Sequence, residues 1–268
     1  MTHRLLDLFS GIGAFSLGLE RSGVFRAVAF CEQDQYCRKV LSRHWPEVPI
    51  YDDVRDLTAG RLAADGIAVD AICGGFPCTD ISVAGRGAGI GGSQSGLWSH
   101  FARLVGELGP RYVFVENVAA LLVRGLDRVL GDLATLGYDA EWHCIPAASI
   151  GAPHQRDRIW IVAYPDGGRR REQGDVGEAS GDAGAGQSRD GGAVSVPLGP
   201  RLALGAGTLG EWSHAATTGS GWWATEPDVG RVVDGVADKV DRRKRLIALG
   251  NSLVPRIPEM LARALPCP

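Results

Sequence analysis

Cys78, Glu116, Arg156 and Arg158 are the residues whose types and settings could make and break bonds. Cys78 follows Gly74-Gly75-Phe76-Pro77, where two glycines free the backbone and Pro77 fixes φ, so its sulfur is offered from a shaped loop. A thiolate is a strong nucleophile when nearby positive charge lowers its pKa. Glu116 ends the apolar run RYVFVE, and acids seldom end such runs without a partner. Arg156 and Arg158 stand at i and i+2 in HQRDR, which puts both on one side if the segment is extended. Acid and guanidinium supply what such a nucleophile lacks. Each group also has an ordinary reading: a free cysteine is usually a small buried hydrophobe, which suits Cys31, Cys73 and Cys144, and an Arg-rich turn is usually solvated.

A second set of residues could hold a ligand. Asp7-Leu8-Phe9-Ser10-Gly11-Ile12-Gly13 puts a Gly-x-Gly turn where backbone N–H groups can approach a ligand closely. The third glycine of a dinucleotide fingerprint is missing, because position 16 is Ser, and this argues against a nicotinamide cofactor. Glu32 ends the next β-like run, where an acid can accept from a ribose diol. Asp53 could accept from an adenine amino group, and its neighbour Asp52 offers the same chemistry.

The elements that must position these groups are legible as alternating patterns. Residues 4–9, 24–31, 70–74, 111–116 and 158–164 read as strands, and 14–22, 35–44, 97–108 and 126–136 as helices. Such alternation predicts an α/β fold with a parallel sheet covered on both faces, and Asp53 preceding a strand at its carboxyl edge. After Pro165 the composition changes. Residues 166–195 hold nine Gly and ten charged residues, too little apolar surface to offset ordering entropy, and a mobile insertion is expected there. A helix over 255–265 is expected to close the chain.

The whole chain has 268 residues, 45% hydrophobic and 22% charged, with a net charge of -3, which excludes global disorder. Its six cysteines form no CxxC pair and no metal-ligand spacing, so a reduced cytoplasmic protein without a metal is expected. No apolar run approaches the roughly 18 residues of a membrane helix. Residues 231–256 carry seven Lys/Arg against three Asp, so the mild acidity of the whole does not argue against nucleic acid.

In order and spacing, DLFSGIGAFSLGLE, CEQD, GGFPCTDIS, VFVENV, HQRDRIWIVA and ALGNSLVP resemble the motif series of DNA cytosine-5 methyltransferases. The resemblance implies a Rossmann-like sheet with helices on both faces, built from 1–164 and 245–268, that binds S-adenosyl-L-methionine. A small target-recognition region would occupy 165–244. It makes Phe9, Ser10, Gly11, Ile12 and Gly13 the cofactor loop, Glu32 the ribose acceptor and Asp53 the adenine acceptor. Pro77 and Leu97 would line the pocket, and Asn251 and Ser252 would close it. Cys78 would be the nucleophile on cytosine C6, Glu116 the hydrogen-bond donor toward N3, and Arg158 with Arg156 the groups holding the pyrimidine carbonyl and Glu116. The implied substrate is double-stranded DNA with the target base rotated out, and the implied setting is a monomer encoded by a bacterium or phage, in restriction-modification or self-protection. Gln94 and Gln33 depart from residues common in the family. A tRNA-methylating relative and a catalytically silent DNA-binding module share much of this pattern and are the alternatives.

Overall fold

The computed structural model describes residues 2–77, 95–166 and 242–265. Cys78, the 79–94 loop after it and the 167–241 stretch, which holds most of the expected recognition region and of the expected mobile insertion, lie outside the described residues. Within them the strands β1 (His3–Leu8), β2 (Phe25–Cys31), β3 (Ile50–Tyr51), β4 (Ala71–Gly74), β5 (Tyr112–Val118), β6 (Tyr138–Pro146) and β7 (Asp157–Pro165) form one sheet. Its order is β3-β2-β1-β4-β5-β7-β6.

The central strands are apolar at nearly every position because both faces are covered, and successive side chains feed two separate cores. Leu6, Ile72, Val113, Val115 and Ile161 join one core with Phe101, Leu104 and Val105 of α4 (Trp98–Leu108) and with Val129 and Leu133 of α6 (Leu126–Thr135). Their neighbours Leu5, Cys73, Phe114, Trp160 and Val162 join the other, against Phe15 and Leu19 of α1 (Ala14–Arg21). Each such side chain contributes roughly 1.5–3 kcal/mol on burial. Shorter helices connect the strands: α2 (Gln35–His44), α3 (Ala59–Ala64) and α5 (Leu121–Arg124). Asp34 caps α2 by accepting from the Cys37 amide at 2.9 Å.

Two further helices, α7 (Arg242–Asn251) and α8 (Arg256–Arg263), bring the end of the chain back to its beginning. Ile257, Met260 and Leu261 of α8 enter the core that holds Phe15 and Leu19. The approach is close enough to need glycine, since a Cβ on Gly18 would lie 2.1 Å from the Pro255 carbonyl oxygen. Arg263 adds a bond from its guanidinium to the Arg21 carbonyl at 3.1 Å.

The sheet is mixed, which corrects the parallel arrangement expected from strand-helix alternation. β1 through β5 are parallel neighbours, but β7 runs antiparallel to both β5 and β6. No long helix separates β6 from β7, only a short 3₁₀ turn, Ala147–Ile150, so the chain folds back on itself instead of crossing over. Reversal puts the start of β7 at the carboxyl end of β5, with Arg158 paired to Val118 and Trp160 to Glu116. Asp53 follows the short β3 and does not precede a strand. Cys144 is exposed and not buried, because β6 is the edge strand and has solvent on one side.

Candidate active site

Strand ends at the carboxyl edge converge on a cavity of about 830 Å³. The loop after β1 forms one wall. Phe9 and Gly11 both take left-handed backbone angles, φ +55° and +54°, and Ser10 fixes the turn by donating to the Asp7 carbonyl at 2.6 Å. Phe9, Ser10, Gly11 and Ile12 line the cavity, whereas Gly13 does not: it caps α1 over the Trp45 ring.

Glu32 locks this loop to the end of β2. Its Oε2 accepts from the Gly11 amide at 2.7 Å and its Oε1 from the Asp34 amide at 2.7 Å. Each oxygen keeps a lone pair for another donor. Asp53 lies on the same side of the cavity, where Arg55, paired at 2.5 Å, holds its carboxyl below the usual range. Asp52 lines the cavity as well, but it is 71% exposed and pairs with Arg38, against 18% for Asp53. The 53–57 loop is itself fixed, since Arg103 donates to the Val54 and Leu57 carbonyls at 2.9 and 2.8 Å.

Asp7, in the apolar run of β1, is 1% exposed and lines the cavity. Its Oδ2 accepts from the Ser16 hydroxyl at 2.6 Å, while Oδ1 has no hydrogen-bond partner among the described residues. Burial pushes this carboxyl up to about 7. Nothing in the sequence reading singled it out, although an acid inside a buried strand is itself a signal.

The opposite wall comes from β5 and β7. Glu116 and Arg158 form an ion pair, Nε to Oε1, of 2.9 Å, with side chains only 14% and 21% exposed. Burial pushes the Glu116 carboxyl up, against the pull of Arg158 and then of Arg156. Gly75 makes room for the acid, because a Cβ there would lie 2.7 Å from Glu116 Oε2. Asn117, buried at 2%, donates to the Phe76 carbonyl at 3.1 Å and so ties the loop that leads to Cys78 to the end of β5. From the sequence the strand is expected to end at Glu116, which gives Asn117 no role, whereas it runs on to Val118. Arg156 has a positive φ of 39° and turns to the C-terminal segment, donating to the Gly250 carbonyl at 2.9 Å and to the Ser252 carbonyl.

Pro77, Leu97, Asn251 and Ser252 all line the same cavity, as do Glu116, Arg156 and Arg158. Cys78 lies outside the described residues, one position after Pro77. One enclosure therefore has a wall of carboxylates held by backbone amides beside a wall of guanidinium and buried acid.

This geometry can be set beside known proteins. Residues 3–176 match the family described as C-5 cytosine-specific DNA methylase. Type II methyltransferase M.CviJI of Paramecium bursaria Chlorella virus IL3A is 35% identical over 164 residues, 61% of this chain and 43% of that protein. Type II methyltransferase M.HhaI of Haemophilus parahaemolyticus is 30% identical over 165 residues, 60% of this chain and 49% of that protein. The matched region thus spans less than half the length of either relative. A mutant of Spodoptera frugiperda DNMT2 shares the fold at a TM-score of 0.53 and 19% identity, over 63% of this chain and 51% of that one. Among the described residues no helix is long and apolar enough to cross a membrane. The sheet order with its reversed seventh strand, the glycine loop and the match over most of the described sheet lead to one assignment: the chain belongs to the C-5 cytosine-specific DNA methylase family.

Proposed function

We propose that the chain transfers a methyl group from S-adenosyl-L-methionine to C5 of cytosine in duplex DNA. The observation that carries this is the buried Glu116–Arg158 pair at 2.9 Å in the same cavity as the Gly11–Glu32 loop. The residues fit the cofactor: the carboxylates of Glu32 and Asp53, both on the cavity, suit hydroxyl and amino donors and a ligand that carries positive charge. Glu32 would hold the ribose hydroxyls and Asp53 the adenine, with Phe9, Pro77 and Leu97 lining the pocket and Asn251 and Ser252 closing it. When bound, S-adenosyl-L-methionine supplies an electrophilic methyl on a sulfonium.

Cytosine C5 is too weak a nucleophile to take that methyl unaided. The Cys78 thiolate adds to C6, and the electron pair displaced toward N3 makes C5 an enamine carbon. Glu116, whose carboxyl burial pushes toward the protonated form against the pull of Arg158, would donate to N3 as charge builds there. Arg158 holds Glu116 in place and offers its remaining N–H groups to the pyrimidine carbonyl. After transfer, loss of the C5 proton expels the thiolate. Because C5 and C6 are stacked inside a duplex, the base must be swung out into the cavity, which costs a few kcal/mol. The 165–244 region is assigned to sequence recognition, and the Type II names of the relatives point to restriction-modification or self-protection as the setting.

Labelled S-adenosyl-L-methionine with duplex DNA tests this reading. Label is expected in DNA, lost in Cys78→Ala, with a covalent adduct on 5-fluorocytosine DNA and a target sequence readable by bisulfite sequencing. Label in RNA alone would move the substrate while keeping the chemistry, and no transfer to either would leave a silent binding module.

A further inference from the structure

Arg156 and Arg158 are separated by one residue and both act electrostatically on Glu116, yet the strongest contacts of their side chains differ. Arg158 pairs with Glu116 at 2.9 Å, whereas Arg156 donates through Nη2 to the carbonyl of Gly250 at 2.9 Å and to that of Ser252. Those carbonyls flank Asn251 at the end of α7, where the last carbonyls of a helix have no partner inside it and the helix dipole favours a cation. Asn251 and Ser252 line the cavity. From Val254 onward the chain is seated by other means, with Pro255 against Gly18 and Ile257 in the core. The 250–252 turn therefore owes its place on the cavity to the guanidinium of Arg156. A positive φ of 39° at an arginine is a backbone state that persists only where surrounding contacts hold it, and these two bonds are such contacts.

We propose that Arg156 is a positioning residue that clamps the 250–252 turn over the donor pocket, so that its loss releases the cofactor before it harms the chemistry on the base. This rests on the methyltransferase reading above. It divides the HQRDR segment in two: Arg156 acts through the backbone on cofactor retention, and Arg158 acts through Glu116 on the pyrimidine. Because the acceptors are backbone oxygens, the side chains at 250–252 can change without breaking the clamp.

The test measures binding of labelled S-adenosyl-L-methionine by equilibrium dialysis without DNA, then kcat at saturating cofactor. Arg156→Gly suits the left-handed backbone and removes only the guanidinium. Its cofactor affinity should fall about tenfold or more, as expected for losing charge-assisted hydrogen bonds. Raising the cofactor to saturation should recover a larger share of the parent kcat in Arg156→Gly than in Arg158→Lys, a KM-against-kcat split that a merely structural role would not give. Arg156→Lys, which keeps the charge but not the fork, should fall between the parent and the glycine variant. Arg158→Lys should bind cofactor like the parent and lose kcat. Hydrogen exchange at amides 248–254 should quicken in Arg156→Lys and not in Arg158→Lys, a readout that survives if the glycine variant folds poorly. Unchanged cofactor affinity with a collapsed kcat in Arg156→Gly, or unchanged exchange in Arg156→Lys, would overturn the clamp. A parent that binds no cofactor would instead bring down the methyltransferase reading, and the clamp's purpose with it.

Discussion

The two walls of the cavity solve opposite electrostatic problems. On the β1–β3 side the acids face the cavity with backbone amides, a hydroxyl or a neighbouring arginine as partners: Glu32 on the Gly11 and Asp34 amides, Asp7 on Ser16, Asp53 on Arg55. On the β5–β7 side an acid is buried against a guanidinium, and a second guanidinium caps a helix end. The first wall is suited to a ligand that brings positive charge and hydroxyl groups, the second to one on which negative charge appears during reaction. Separating them by one sheet edge lets both ligands meet without either wall neutralising the other.

The largest effect should come from the second wall. Glu116→Gln keeps the shape but cannot deliver a proton, so kcat should fall about 10²- to 10⁴-fold with little change in cofactor binding, measured by label transfer and dialysis. Equal losses in both would mean that the walls are not separate. Next comes Asp7, whose carboxyl rises from an ordinary 3.8 to about 7 in the fold. Folding favours its neutral form, so the stability it contributes is full below about pH 4 and is lost as pH climbs to about 7. Against Asp7→Asn, the parent should lose on the order of 2–4 kcal/mol of unfolding free energy between pH 4 and 8, read by denaturant titration. A flat difference would mean that the acid has a partner. Smallest is Glu32→Gln, which removes the charge and sets an NH2 donor against the Gly11 or Asp34 amide, and should weaken cofactor binding by about 1.5–3 kcal/mol while leaving DNA binding intact.

What the sequence revealed follows how strongly each element is buried. The runs at β1, β4 and β5 are apolar on both faces and bounded by glycine or polar residues, and α2 was bounded as found, at Gln35–His44. The edge strand β6 carries Asp139, Glu141 and His143 among its apolar residues, and solvent on one side erases the pattern that marks an inner strand. β3 has too few residues to show any period, and α7 opens on Arg242, Arg243, Lys244 and Arg245 with no apolar stripe. Direction was the deeper omission. A parallel β7 would have carried Arg156 and Arg158 to the amino edge of the sheet, away from Glu116; only the reversed strand joins the residues that the motifs had grouped. Asp7 is given no role because a hydrophobic run is read for its majority, and Asn117 because the run is ended one residue short of it at Glu116.

The contact between Gly18 and Pro255 joins two segments that lie far apart along the chain. Because translation runs from the amino end, the glycine loop can assemble before the 250–252 turn that lines the same cavity has been made. A chain interrupted between the two would hold an open cavity, so translation itself sets when the enclosure can close.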